Sequence, residues 1–455
     1  MHDENWFFRW FNQLSSAQLL LLFYILAIVF STSILLLPIA YKDGVHVPFM
    51  DILFVSVSAL SVTGLTPISV SETFTTAGVF ILALIMHLGA VGVMAVSTFI
   101  WLLIGKKIGI SERRLIMRDQ NQTEFGGMVY LIKQIFYVVL IVETIGVIVL
   151  GTYFLFYFPT AKEAYLEGFF VTISAISNAG FGLSNDSLAA FSSDYFVQSI
   201  VIFLIIFGAI GFPVLIEIKR YLFKNKNQKK KFRFTLFTKV TTTTFFFLVA
   251  LGTIMIYLID RQGFMQGKNW HEGIFYALFQ SVTTRSAGLT TMDVSLLSES
   301  NHLFMSALMF IGASPSSAGG GIRTTTFALV LIFMITYARG GKRLKLFNRQ
   351  IYDKDLMKAV TIMILATFFI FFAVFLLSLV EPFSLTAILF EVTSAFGTVG
   401  LSLGITEDLT TFSKVVLMIL MFIGRIGIVT FLYTFRKNKQ NDDYIRYPKE
   451  RIIIG

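Results

Sequence analysis

Phe54-Val-Ser-Val-Ser-Ala-Leu-Ser-Val-Thr-Gly64-Leu65 is the stretch whose reading decides the fold. The same register returns as FVTISAISNAGF at 170–181, LFQSVTTRSAGL at 278–289 and FEVTSAFGTVGL at 390–401. Each copy is a small, hydroxyl-rich, weakly apolar run that ends on glycine followed by Leu or Phe. The glycines are Gly64, Gly180, Gly288 and Gly400, separated by 116, 108 and 112 residues. A period this constant predicts four equivalent structural units.

Around each run the sequence is strongly apolar. Of 455 residues, 55% are hydrophobic and only 14% charged, too few charges to cover a soluble protein of this size. Segments near the ~20 residues that span ~30 Å of hydrocarbon recur along the chain. Helix candidates lie upstream of each run at 17–40, 129–158, 238–259 and 357–380, and downstream at 73–104, 195–222, 302–338 and 411–435. The runs between them are too short to cross a bilayer and too apolar for solvated loops, so they read as re-entrant half-helices with a descending strand. The expected fold is an all-α polytopic membrane protein: four helix–pore-loop–helix repeats, eight transmembrane helices, around a pseudo-fourfold central pore. The repeats are placed at 17–104, 129–223, 238–338 and 357–435. They are joined by cytosolic segments at 105–128, 224–237 and 339–356 and flanked by an interfacial N-terminus (1–16) and a tail (436–455).

The net charge of +10 is distributed by topology. Lys106, Arg113, Lys229, Lys230, Lys231 and Arg343 typify the connecting segments, while the opposite side has little beyond Lys42, Lys162, Arg261, Lys268 and Lys414. The positive-inside bias therefore puts both termini in the cytosol of a cytoplasmic membrane and the re-entrant loops outside. That distribution accounts for the basicity without nucleic acid. The chain has no cysteine, which excludes disulfides and thiolate chemistry. It has no Rossmann or phosphate-loop signature, and its five scattered histidines form no clustered site of the kind a membrane acyltransferase or phosphatase needs. The expected class is a transporter and not an enzyme.

Four glycine-ended loops in a membrane suit one task above others. Glycine permits positive φ, which lets successive carbonyls point along one axis, and four such loops make a ladder of oxygens that replaces a cation's hydration shell. No Asp or Glu stands in the last four positions of any run, so backbone carbonyls and hydroxyls are left to coordinate, as suits a monovalent ion better than Ca²⁺ or Mg²⁺. The candidate ion-binding residues are Val62, Thr63, Gly64; Asn178, Ala179, Gly180; Ser286, Ala287, Gly288; and Thr398, Val399, Gly400.

These motifs resemble the Trk/Ktr/HKT superfamily of potassium transporters over residues 17–435, and most of all its KtrB-type membrane subunits. The resemblance implies a potassium filter with one glycine per repeat. Some plant relatives with Ser at the first glycine favour sodium, so Gly64 points to potassium, with Na⁺ a possible modulator. It further implies a homodimer and a cytosolic ring of KtrA-type regulatory subunits that bind ATP or ADP. A sodium-coupled or pump-associated potassium carrier is the rival reading.

Small residues recur below the glycines, in Gly89-Ala-Val-Gly92, Gly208-Ala-Ile-Gly211, Gly312-Ala-Ser-Pro315 and Gly424-Arg-Ile-Gly427, where they let helices approach closely or bend. The third copy opens a segment no regular helix holds: Gly312, Ala313, Ser314, Pro315, Ser316, Ser317, Ala318, Gly319, Gly320 and Gly321. As one helix, 302–338 would span ~55 Å. The break is therefore expected near mid-membrane, as a gate across the pore; the resembling family has an intramembrane loop here. Arg425 replaces the Ala of its sisters within an apolar helix, and a charge there must face a cavity or carbonyl oxygens. It is expected to hold the 312–321 loop closed and to raise a barrier to cations, as the family's basic residue below the filter implies.

The remaining polar residues are less decisive. Arg285 reads either as a brace for the third loop or as a side chain snorkelling to the surface. Glu143 reads as buried and hydrogen-bonded or as an ion or interface residue, His87 as packing, and Arg323 as a cap or anchor of the following helix. The tail 446–455 reads either as an interface segment or as disordered.

Overall fold

The computed structural model describes residues 14–92, 128–184, 186–224, 232–341 and 343–434, together with Ala95, Leu115 and Met117. Most of the expected N-terminal interfacial segment and of the 105–128 connection, the centre of the 224–237 connection and the tail lie outside them.

Four long helices carry the apolar surface: α1 (Ser16–Leu35), α4 (Met128–Phe154), α8 (Leu236–Ile259) and α12 (Asp353–Ser378). Ser15 and Gln18 close a capping box on α1, and Thr235 caps α8. Only 22–39% of their most apolar windows is buried, so the rest of these Leu-, Ile- and Phe-rich faces has no protein against it. In a chain this apolar, that surface is the lipid face of a multi-pass membrane protein.

Each long helix is followed by a short one: α2 (Phe49–Ser61), α5 (Ala161–Ser177), α9 (Trp270–Thr283) and α13 (Leu385–Gly397). These hold the four repeated runs, and their C-terminal halves are almost wholly buried. A second apolar helix then follows in each unit: α3 (Thr76–Val91); α6 and α7 (Tyr195–Ala209, Phe212–Leu222); α10 and α11 (Glu299–Ile311, Thr324–Ala338); α14 and α15 (Thr411–Ile426, Ile428–Thr434). The units contact one another in a closed cycle. The second helices α3, α6, α10 and α14 pack on the short helix of the next unit, α14 returning to α2. At that closing contact Lys414 Nζ donates to Asp51 Oδ1 at 2.7 Å.

The second helices are not regular spans, and one expectation needs correction. Among the described residues four helices are individually long and apolar enough to cross a membrane, or six if each bent pair counts once. Each second helix breaks or ends at its small-residue motif. The α6–α7 and α14–α15 pairs bend by 105° and 104°. The bend residues Gly92, Gly211 and Gly427 share one conformation, φ 91–100° and ψ 128–137°, which glycine reaches without strain. The chain is not wholly helical, which corrects the all-α expectation: Lys345–Leu346 pairs with Arg349–Gln350 in a small antiparallel hairpin. Its turn residues Phe347 and Asn348 both have positive φ, as a two-residue hairpin turn requires.

Candidate functional site

The four glycines converge. A Cβ placed on Gly64 would lie 2.5 Å from the Ala179 carbonyl oxygen, and one on Gly180 would lie 3.0 Å from that of Ala287. On Gly288 it would collide with the Val399 oxygen and on Gly400 with the Thr63 oxygen. Each loop thus presents the carbonyl preceding its glycine to the glycine of a neighbour, and the four loops close a ring in chain order. A Cβ on any of the four glycines would meet a neighbouring backbone oxygen at 3.0 Å or less.

The backbone reaches this arrangement by alternation. Val62, Asn178, Ser286 and Thr398, two residues before each glycine, have φ of 60°, 54°, 74° and 47°; the glycines have 95°, 75°, 75° and 94°. Sequence reasoning assigned positive φ to the glycines alone. For β-branched Val62 and Thr398 the left-handed region is strained, by about 1–3 kcal/mol, and persists only where the surroundings over-determine it. They do so through the helix C-caps. Thr63, Ala179 and Val399 each donate N–H to a carbonyl five residues back, at 2.8 Å, while Val62, Asn178 and Thr398 donate three residues back. These are Schellman turns built without glycine at the left-handed position. Ser58 and Ser394 Oγ accept the N–H of Gly64 and Gly400 at 3.0 and 3.1 Å. The serine six residues before the glycine in three of the four runs was the signal available for that support.

Above the ring lies a cavity of about 540 Å³, lined by all four glycines and by Asp186, Asp293 and Glu407. Below it lies the 312–321 loop, buried except for the partly exposed Pro315. Its ten expected residues are held from several sides. Ser314 and Ala318 donate N–H to the carbonyls of Ala209 and Gly208 at 3.0 Å, and Phe212 N–H donates to Ser316 O at 2.8 Å, which fastens the loop to the α6–α7 break. Gly320 N–H donates to Ser286 Oγ at 3.0 Å, and that oxygen sits 2.6 Å from the Thr398 carbonyl, so the loop also touches two ring segments.

Arg425 is buried and donates through Nη1 to Ala318 O and through Nη2 to Gly89 O and, at 3.0 Å, Ala90 O. It therefore joins the fourth unit, the first unit and the loop. The role of Arg323 was underestimated from sequence. Its backbone (φ 79°, ψ 143°) takes the glycine-like shape of the sister bends while its guanidinium donates to Gly319 O and, at 3.3 Å, to Ser314 O. The side chain grips the loop and does not cap α11.

Three other polar residues found definite places. Arg285 is fully buried, which removes the snorkelling alternative. Its Nη2 donates to Leu308 O at 2.7 Å, while Nε and Nη1 have no hydrogen-bond partner among the described residues. His87, expected to pack, has Nδ1 3.0 Å from Glu143 Oε1, linking α3 to α4. Among the described residues no group of acidic or imidazole side chains is arranged to hold a metal ion in the manner of a resident cofactor.

Residues 18–447 match the family model TrkH, described as a cation transport protein. The chain belongs to the TrkH family. It is 52% identical to Ktr system potassium uptake protein D of Bacillus subtilis, over 97% of this chain and 98% of that one. It is 33% identical to Ktr system potassium uptake protein B of the same organism, over 96% of both chains. It is also 33% identical to potassium/sodium uptake protein NtpJ of Enterococcus hirae, over 98% of both. The crystal structure of the potassium transporter TrkH from Vibrio parahaemolyticus superposes with a TM-score of 0.69 at 19% identity, covering 91% of this chain and 84% of that one; at this identity the likeness is one of fold. The TrkH family is thus one of membrane transporters and not of enzymes.

Proposed function

We propose that this chain takes up potassium across the cytoplasmic membrane, through a filter made by the four repeated loops acting as pore loops around one axis. The observation that carries the reading is the ring, in which the carbonyl oxygens of Thr63, Ala179, Ala287 and Val399 each face a neighbouring glycine. Backbone oxygens in membrane-buried, irregular segments need a partner, and a dehydrated monovalent cation supplies one. The names of the Bacillus relatives favour potassium as the ion. Asp186, Asp293 and Glu407 at the outer cavity would raise the local cation concentration.

The 312–321 loop is the gate in this reading. It lies under the ring, and Arg425 and Arg323 hold it there with four hydrogen bonds to the carbonyl oxygens of Ser314, Ala318 and Gly319. Opening must free or replace those bonds, so flow depends on breaking contacts between units. Transport is passive, driven by ~2.3 kcal/mol per charge per 100 mV. Both termini face the cytosol, where the basic connections offer a docking face for a nucleotide-binding regulatory ring, and the membrane subunit works as a homodimer. Relatedness to NtpJ favours one alternative, a carrier in which sodium is coupled to potassium.

Potassium flux into liposomes containing the purified chain tests the reading. Wild type should carry K⁺ in preference to Na⁺, Gly400→Ser should lose the preference, and both Arg425→Ala and removal of 313–320 should raise flux. No cation flux in any of the four, with a cytosolic extract added, would overturn it. A fixed requirement for sodium in wild type would favour the coupled carrier.

A further inference from the structure

The outer ends of the loops are finished in different ways. Two residues past the glycine, Thr66 and Thr290 close turns on themselves: Ile68 N–H donates to Thr66 Oγ1 at 3.2 Å and Met292 N–H to Thr290 Oγ1 at 3.3 Å. The fourth loop reaches further. Gly404 N–H donates to Ser402 Oγ at 3.0 Å, the Ser402 and Thr406 hydroxyl oxygens are 3.0 Å apart, and the Thr406 hydroxyl donates to Glu391 Oε1. Thr406 has one hydroxyl proton, so once it is given to Glu391 the proton between the two hydroxyls comes from Ser402. The donors then run one way, from the backbone at Gly404 to the carboxyl.

Ser402, Gly404 and Thr406 line the outer cavity, while Glu391 stands behind them with 0% exposure. Packing does not call for a carboxyl there. Nine residues before the other three glycines stand Val55, Val171 and Phe279, all apolar. Glu391 Oε2 has no hydrogen-bond partner among the described residues, an arrangement that costs the fold stability. The third loop carries a neutral counterpart: buried Gln280 donates from Nε2 to Thr290 Oγ1 at 2.7 Å. Behind the first two loops the Ser56 and Thr172 hydroxyls have no such partner among the described residues.

We propose that Glu391 is a positioning residue for ion selection, which fixes the outer turn of the fourth loop through Thr406 and Ser402 and thereby holds the Thr398–Gly400 backbone in register with the ring. The proposal rests on reading that loop as one wall of the filter. Its physical basis is tethering. Gly400 is already supported from within by Ser394, and the Glu391 chain supplies the second support, on the outer side. Selection among ions by carbonyl oxygens depends on how firmly those oxygens are held.

Two measurements test it. In liposomes, Glu391→Val and Thr406→Val should each lower the K⁺/Na⁺ flux ratio by about tenfold, with Glu391→Gln, which keeps an acceptor oxygen, between them and wild type. The second uses the absence of cysteine. In a Leu403→Cys background, the introduced thiol should react with a water-soluble thiol reagent about tenfold faster when Glu391→Val or Thr406→Val is added, because the outer turn is no longer tethered. If Glu391→Val does not fold, Thr406→Val, which removes one hydroxyl at nearly constant shape, carries both measurements. Labelling rates equal to those of the Leu403→Cys background overturn the proposal whatever the flux. A wild type that carries no cation defeats the transport reading instead, and the labelling still decides the tether.

Discussion

The third unit and its three sisters solve one geometric problem with different residues. In the first, second and fourth units the short helix ends in a Schellman turn on Val62, Asn178 or Thr398, and the bends at Gly92, Gly211 and Gly427 are glycine. In the third unit α9 ends earlier, Arg285 intervenes before Ser286, and the bend conformation is taken by Arg323 after an inserted loop. The torsions at Ser286 and Arg323 nevertheless resemble those of the sisters. Backbone shape is therefore what the ring and bends demand. The third unit meets that demand with two polar residues, Ser286 and Arg323, whose side chains then grip the loop.

The largest effect should follow from breaking what all four units share. Gly64→Ala puts a Cβ 2.5 Å from the Ala179 oxygen at φ 95°, where backbone cannot yield without moving a neighbouring loop. It should abolish the K⁺/Na⁺ preference and lower the thermal midpoint by several degrees, a cost of about 1–3 kcal/mol from torsion alone, as read by flux and by melting in detergent. Arg425→Ala removes donors to Ala318, Gly89 and Ala90 together. Basal flux should rise about tenfold, and a closed-state melting transition should fall, since the freed carbonyls lie in buried surroundings.

Arg323→Gly sharpens the comparison by installing the residue of the sister units. Torsional strain of about 1 kcal/mol is relieved while the clamp on Gly319 and Ser314 is lost. Flux should rise several-fold with a melting midpoint close to wild type, whereas Arg323→Ala should raise flux and also melt lower. Equal stability of the two variants would mean that the torsion carries no strain.

The smallest effect is at the outer rim. Thr410 donates N–H and Oγ–H to Glu381 at 2.9 and 2.7 Å. Burial pushes the Glu381 carboxyl up, but the bonds from Ser413 and Thr410 and the charge of Lys414 outweigh it and hold the carboxyl below its usual value. A depressed folded-state value gives stability that is present above the ordinary carboxylate range, about 4.3, and lost as pH falls through the lower folded value. Melting midpoints from pH 7 to pH 3 should therefore decline more steeply in wild type than in Glu381→Gln.

Much of this arrangement was legible in the sequence because it was written in repeats. The four runs, their glycines and the Pro- and Gly-rich 312–321 segment each departed from a helical pattern in a way that demanded a physical reason. Arg425 stood out because its sister positions, 90, 209 and 313, all hold Ala. The remainder depended on contacts between distant segments. Nothing local to Val62 or Thr398 announces positive φ, since the five-residue-back hydrogen bond that imposes it comes from the folded cap. Pairing of His87 with Glu143, and of Lys414 with Asp51, joins helices whose adjacency follows only from the closed cycle of units. Arg323 looked like a helix anchor because its partners, Gly319 and Ser314, become neighbours only when the loop folds back.

The most direct test is a crystal structure of the chain in rubidium, read from the anomalous difference map. The account predicts density on the axis of the ring, between the carbonyl oxygens of Thr63, Ala179, Ala287 and Val399, and its loss in Gly64→Ala. Ion density confined to other sites, such as the His87–Glu143 pair, with the ring axis empty at saturating rubidium, would contradict it.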